Sequence, residues 1–355
     1  MQITKRRRWL LALSAIVAIL GISAAAAGFW YRQNISPIDK NDDQAVRINI
    51  AKGATAQDVA NSLEGKQLIR SKLIFNIYLK INGGGSGFQS GVYSVKRSQS
   101  LPEIVKHLIS GQADEKSITL YPGAVLKSAK PKPTDVFSVL SAAGYSEDEI
   151  KQAFSADYQS SILKNRPKGA DLEGYIYGET YFVAADSSAK QVVQRAINQL
   201  ETVIKDNDLE AKFKKQGLSL HEGIVLASII ERESIGCPGQ EVCQDQRKIA
   251  SVFYNRLELG MNLGSDVTYH YIADKQGKER DFRLDSPYNT RRYPGLPPGP
   301  IATPGISALN AAADPAQTDY LFFLSGDDDV TYFAKTEGQH NNNIRNHCQK
   351  KCLLP

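Results

Sequence analysis

The sequence predicts an α+β protein in parts: a membrane-anchoring helix, a small α+β module and a larger mixed α/β domain. Three observations carry this. Trp9 to Tyr31 holds no charged residue, and its 23 residues suffice to cross a bilayer as a helix. Residues 46–112 alternate short strand patterns with helical periodicity. Beyond residue 113, amphipathic helical stretches lead to a loop at 296–304 dense in proline and glycine. With 355 residues, 42% hydrophobic and 23% charged, the chain can bury more than one core, and wholesale disorder is excluded.

Lys and Arg total 43 against 38 Asp and Glu, a net charge of +5. Lys5, Arg6, Arg7 and Arg8 supply four of those positive charges, so the rest is nearly neutral. That argues against a nucleic-acid-binding surface. The same four residues precede the apolar span, and Arg32 is the only basic residue close after it. The positive-inside bias places residues 1–8 in the cytoplasm, a transmembrane helix at 9–31 and the remainder outside. A cleaved signal peptide is the competing reading, with Ala24 to Ala27 as the small residues.

Residues 32–45 read as a polar tether. In the module at 46–112, Val46 to Ile50 alternates as a strand. Thr55 is a plausible N-cap for a helix over Ala56 to Leu63, and Ser71 starts another. Gly83 to Gly87 is a loop, Gly91 to Val95 a strand and Leu101 to Ile109 a third helix. Residues 113–170 form a connecting region, with a strand at Ser117 to Tyr121 and helices at Asp135 to Ala143 and Ser146 to Phe154. A long amphipathic helix spans Ser188 to Asp206. The domain at 171–345 carries the chemistry, and a Cys-containing tail occupies 346–355.

Common motifs are missing: there is no HExxH, no GxSxG and no P-loop. The five histidines are scattered and give no metal-ligand spacing. His221 to Ser234 reads as a helix on which Val225, Leu226, Ile229 and Ile230 form one stripe. Glu233 continues that stripe. Glu231, about 200° away, falls on the opposite face and is expected to be solvated or ion-paired. A carboxyl facing apolar surface has a raised pKa and can donate a proton near neutral pH. The plain alternative is a Glu paired with an Arg where the helix leaves the core.

The downstream motifs extend the reading. Ala227-Ser228-Ile229-Ile230-Glu231-Arg232-Glu233-Ser234 is followed by Tyr254-Asn255-Arg256-Leu257, Gly264-Ser265-Asp266, Tyr288-Asn289-Thr290 and Gly295-Leu296-Pro297-Pro298-Gly299-Pro300. Leu172-Glu173-Gly174-Tyr175 and Thr180-Tyr181 lie upstream, and His340-Asn341 completes the series. In this order the series resembles the endolytic murein transglycosylases of the MltG/YceG-like family. Gly178-Glu179 and Asp266-Val267-Thr268 depart from that pattern, as do the insert at Gly236 to Asp245 and the Cys-bearing tail.

The resemblance implies a LysM-like fold for 46–112 and a lytic transglycosylase domain after it. The implied reaction cleaves the MurNAc-β-1,4-GlcNAc bond inside nascent glycan strands of peptidoglycan, forms 1,6-anhydro-MurNAc and ends strand elongation. Glu233 would be the catalytic acid and base, and the implied reaction needs no metal or organic cofactor. Ser234, Asp266, Tyr288, Asn289, Thr290, Pro297 and Gly299 are the substrate-contact candidates. Asp266, Tyr288 and Asn289 could equally be turn formers, and the proline loop a structural turn. His340-Asn341 lines the cleft or caps a strand. Expected partners are glycan strands, the membrane and peptidoglycan synthases. Two competing functions stand: a non-catalytic glycan-binding scaffold, and a hydrolase using Asp266 to activate water.

Four cysteines in an exported chain favour disulfides. Cys237 with Cys243 and Cys348 with Cys352 would close local loops; crossed pairing would tie the tail beside the helix of Glu233.

Overall fold

Hydroxyl side chains start most of the helices among the described residues. In the computed structural model, which describes residues 5–83, 87–110, 113–164, 166–234, 237 and 240–353, Thr55, Ser100, Ser146, Ser188 and Ser219 each form a reciprocal capping box with the third residue of the helix. Ser71 accepts from the Leu73 N–H. Parts of the glycine run and of the Gly236 to Asp245 insert lie outside the described residues.

The architecture is mixed α+β. The chain divides into two units: residues 1–117 with 182–186, and residues 118–181 with 187–355. In the first, α1 runs Lys5–Ile35, and β1 (Ala45–Ile50), α2 (Ala56–Gly65), α3 (Lys72–Asn82), β2 (Gly91–Lys96), α4 (Leu101–Ile109) and β3 (Glu115–Thr119) follow. By length and composition α1 can cross a membrane over Leu13–Ile35. It continues four residues beyond Tyr31, so the tether begins as helix. No breaker intervenes before Pro37, and Asn34 and Ser36 side chains return to the carbonyls of Trp30 and Arg32.

β1 and β2 pair antiparallel from Ala45↔Lys96 to Ile50↔Gly91, and β2 meets β3 at Val92↔Glu115. The sheet order is β1-β2-β3-β4, with β4 at Thr180–Ala184. Ile48, Ile50, Leu63, Phe75, Tyr93, Ile104 and Leu108 form one buried cluster between sheet and helices. The strand expected at Ser117 to Tyr121 starts two residues earlier, at Glu115, where the Arg47 guanidinium meets the Glu115 carboxylate at 2.6 Å.

The second unit holds α5 (Val136–Ala142), α6 (Glu147–Ser155), α7 (Ala189–Asp206), α8 (Leu209–Lys215), α9 (Leu220–Glu233), α10 (Gln244–Glu258), α11 (Asp266–Gln276), α12 (Ile306–Ala313), β5 (Phe322–Ser325), β6 (Thr331–Ala334) and α13 (Glu337–His347). β5 and β6 form an antiparallel hairpin from Phe322↔Ala334 to Ser325↔Thr331. α9 is the axis, in contact with α8, α10, α11 and α12. Glycine and alanine permit this closeness. A Cβ on Gly223 would lie 2.4 Å from the Phe213 ring of α8, and five of the eight residues of α12 are small (Ser307, Ala308, Ala311, Ala312 and Ala313).

Both local disulfides form, Cys237–Cys243 and Cys348–Cys352. Crossed pairing is absent from the structure.

Candidate active site

α9 is not amphipathic. Every residue from Gly223 to Ile230 is buried, because neighbours cover it on all sides. The expectation that Glu231 faces solvent therefore fails. Its Oε2 accepts the Gly305 N–H at 3.0 Å, at the start of α12. Burial raises the Glu231 pKa, and that hydrogen bond holds it partly down.

Glu233 is the last residue of α9. Its Oε1 accepts a 2.5 Å hydrogen bond from Ser265 Oγ, and no protein hydrogen bond among the described residues reaches Oε2. Desolvation by burial pushes its pKa up to about 7. The Ser265 hydrogen bond opposes the rise, the Asp266 charge adds to it, and Arg291 and Arg256 oppose it again. A carboxylate at a helix C-terminus also meets the negative end of the macrodipole, which favours its protonated form. Glu233 thus holds its proton more tightly than a free carboxyl, as a general acid working near neutral pH requires.

Ser265 is itself held. It is buried at the N-cap of α11, and its N–H donates to Thr290 Oγ1 at 3.1 Å. Thr268 Oγ1 donates to the Ser265 carbonyl at 2.7 Å and lies 3.0 Å from Thr290 Oγ1. Two hydroxyl side chains, Thr268 and Thr290, thereby fix the Ser265 donor that orients Glu233.

Glu233 opens into a groove of about 610 Å³. Ser265, Asp266, Arg256 and Arg291 line it near the turn into α11. Phe322 and Phe323 line it from the hairpin, and Glu337, His340 and Asn341 from α13. Asp266 pairs with the Arg291 guanidinium. The Arg256 guanidinium is anchored to the carbonyls of Leu321 at 2.7 Å and Leu263 at 2.6 Å. His340 stacks on Phe322 with centroids 5.3 Å apart, and burial lowers its pKa. His340 and Asn341 sit in a helix, so the strand-capping alternative falls.

Of the sequence candidates, Glu233 and Asp266 line the groove, and Thr290 acts behind Ser265. The others lie elsewhere. Asn289 is fully buried and donates both amide hydrogens to backbone, to Phe282 O at 2.7 Å and Leu284 O at 2.8 Å. Its turn-forming reading is the one the geometry meets. Ser234 Oγ accepts from the buried Gln246 amide at 2.9 Å. The Tyr288 ring packs on Tyr271 at 5.3 Å, and its hydroxyl stands where a Cβ on Gly299 would come within 2.9 Å.

Pro297 is buried and borders a different cavity, of about 840 Å³, near the start of α9. Part of the proline loop is engaged within the protein. Pro298 O accepts from His221 Nε2 at 3.2 Å, Ile301 N–H donates to Ser228 Oγ at 3.0 Å, and Thr303 exchanges backbone hydrogen bonds with Gly123 and Ala124. A carbonyl only accepts, so His221 Nε2 carries the proton, and Nδ1 accepts from the Tyr175 hydroxyl at 2.7 Å.

Residues 48–346 match the model of the YceG-like family. This chain belongs to that family. Among YceG-like relatives, an endolytic murein transglycosylase of Bacillus subtilis is 34% identical over 88% of this chain and 88% of its own length. One from Streptococcus pneumoniae is 24% identical over 95% of this chain, which spans 65% of that protein. The 2.6 Å crystal structure of a YceG-like protein from Listeria monocytogenes superimposes with a TM-score of 0.53 at 30% identity, covering 84% of this chain and 98% of that one.

Sequence reasoning passed over Ser265, Arg256 and Arg291 as site residues. Ser265 had a local signal, a serine directly before Asp266 at a helix start. The arginines gave none, since their partners lie 7 to 65 residues away.

Proposed function

We propose that this protein is an endolytic peptidoglycan lytic transglycosylase that cleaves the MurNAc-β-1,4-GlcNAc bond with Glu233 as its one acid and base. The observation that carries the reading is the Glu233 carboxyl, with one oxygen held by Ser265 and the other unengaged at a groove, where desolvation raises its pKa. Curated relatives with the same activity in their names support it.

Because Ser265 donates to Oε1, the transferable proton of Glu233 resides on Oε2. Oε2–H protonates the glycosidic oxygen as the bond to C1 breaks. The resulting carboxylate then takes the proton of the muramyl C6 hydroxyl, whose oxygen bonds to C1 and closes the 1,6-anhydro ring. The proton returns to Oε2, so the enzyme ends as it began. No water enters and no second carboxylate is required, unlike ordinary glycoside hydrolysis. Arg256 and Arg291 stabilise the carboxylate at the midpoint.

The same reading makes α1 a single membrane anchor with residues 1–8 in the cytoplasm and the groove outside. Residues 46–112 would be a LysM-like module that engages glycan, and 171–345 the catalytic domain. Peptidoglycan synthases, which lengthen the strands that this enzyme would cut, are the proposed protein partners.

Digestion of purified peptidoglycan, with the fragments weighed by mass spectrometry, tests the reading. Muramyl ends lighter by one water than a reducing sugar are expected. Reducing ends would establish a hydrolase, and uncut strands a binding protein.

A further inference from the structure

The segment after α13 lies outside the stretch that matches the family, which stops at residue 346. Yet Cys348, Lys351 and Cys352 share the lining of the groove with Glu233. The segment is fastened from behind. The Asp327 carboxylate accepts the N–H groups of Gln349 at 2.8 Å, Lys350 at 3.0 Å and Lys351 at 2.9 Å. The Asp327 N–H donates to the His347 carbonyl at 2.6 Å, and the Cys348–Cys352 disulfide closes the loop. A wall held this way is ordered before a ligand arrives, so binding to it costs little conformational entropy.

Lys351, the charged residue of this stretch that lines the groove, is matched internally. Asp327 is taken up by three amides, and the Lys351 ammonium contacts the Asp329 carboxylate and donates to the Gly326 carbonyl at 2.8 Å. Besides that paired ammonium, what this stretch offers the groove is the exposed Cys352 half of the disulfide, over the nearly buried Cys348 and beside Leu324 and Ile344. Such polarizable, apolar surface gives no ionic grip on the carboxylates of stem peptides. It suits the C–H faces of pyranose rings and acetamido methyl groups.

Building on the transglycosylase reading, we propose that residues 348–352 are a sugar-binding wall, added to the part shared with the family, that contacts the glycan strand away from the bond being cut. It sets affinity for long strands and so the length of the products.

Two full-length variants test this. Cys348→Ser with Cys352→Ser removes the staple, and Asp327→Asn loosens the segment from outside the groove. Both are assayed on glycan strands carrying stem peptides and on strands stripped of them. The expected result is a KM about three- to tenfold higher on both substrates, with kcat within about twofold and a shifted product-length distribution. Unchanged KM and product lengths in both variants, each with a wild-type melting profile, would overturn the proposal. A loss confined to peptide-bearing strands would overturn the assignment to sugar. Where a variant melts early, the other decides. Failure of the wild-type protein to cut either substrate sinks the transglycosylase reading instead, and that outcome is separate from the others.

Discussion

Two carboxyls, the buried Glu173 and the partly buried Glu233, both have their pKa pushed up to about 7, chiefly by desolvation. Their surroundings differ. Glu173 has both oxygens engaged: Oε1 accepts from Leu126 N–H at 2.9 Å, Oε2 accepts from the Tyr271 hydroxyl at 3.1 Å, and Lys275 Nζ stands 3.7 Å away. Glu233 has one engaged oxygen and one at a groove. A shifted pKa therefore does not by itself mark a reactive group; an unengaged oxygen that a substrate can reach does. Glu173 joins the segment after β3 to α11, and its proton has nowhere to go.

The contrast can be broken most directly at Glu233. Glu233→Gln should lower cleavage about 10³-fold with an unchanged circular dichroism spectrum, while Glu173→Gln should keep activity within about threefold. Comparable losses from the two would erase the distinction.

Ser265→Ala comes next, with an expected tenfold or so loss in kcat/KM. The hydrogen bond it removes stabilises the carboxylate, so the Glu233 pKa rises further. The first step needs the protonated form. Hence the alkaline limb of the rate profile, expected near pH 7 in the wild type, moves to higher pH. Ser265→Thr should bring it back, and an alkaline limb that stays in place would remove Ser265 from the mechanism.

Stability sharpens the comparison. Both carboxyls have folded pKa values above their unfolded ones, so the folded state holds their protons more tightly. The stability they confer is full below the unfolded value and is lost as pH rises through about 7. For each group that is on the order of 3 kcal/mol. Melting temperatures measured across this range should fall less steeply in Glu173→Gln than in the wild type. An identical slope would mean that Glu173 is charged throughout.

The smallest effect belongs to Glu231→Gln. The amide oxygen can still accept the Gly305 N–H, so activity should stay within about twofold. A loss as large as that from Glu233→Gln would make Glu231 the reactive group.

Two helix starts were legible because their caps are local: Thr55 and Ser71 act within three residues of themselves. The span of α9 was legible too. Its surroundings were not, since helical periodicity says which residues share a face but not how many faces are covered. Glu231 was misread for that reason, its partner being a backbone N–H 74 residues away. Asn289 illustrates the reverse error. An asparagine in a loop looks free for a ligand, but this one is consumed by two carbonyls close by in the chain. Glu233 sits where the stripe runs out of the core, partly buried at the edge of the groove rather than inside the apolar face.

The contact between Gly223 and Phe213 has a mechanical meaning. The aromatic ring occupies the notch that the missing side chain leaves, and works as a locating pin for α9. A rod pinned near one end and packed along its length can neither slide nor rotate. The position of the Glu233 carboxyl, ten residues and about 15 Å further along, is thus indexed from the far end of the helix. A methyl group at Gly223 would act as a shim, moving the working tip without touching the groove.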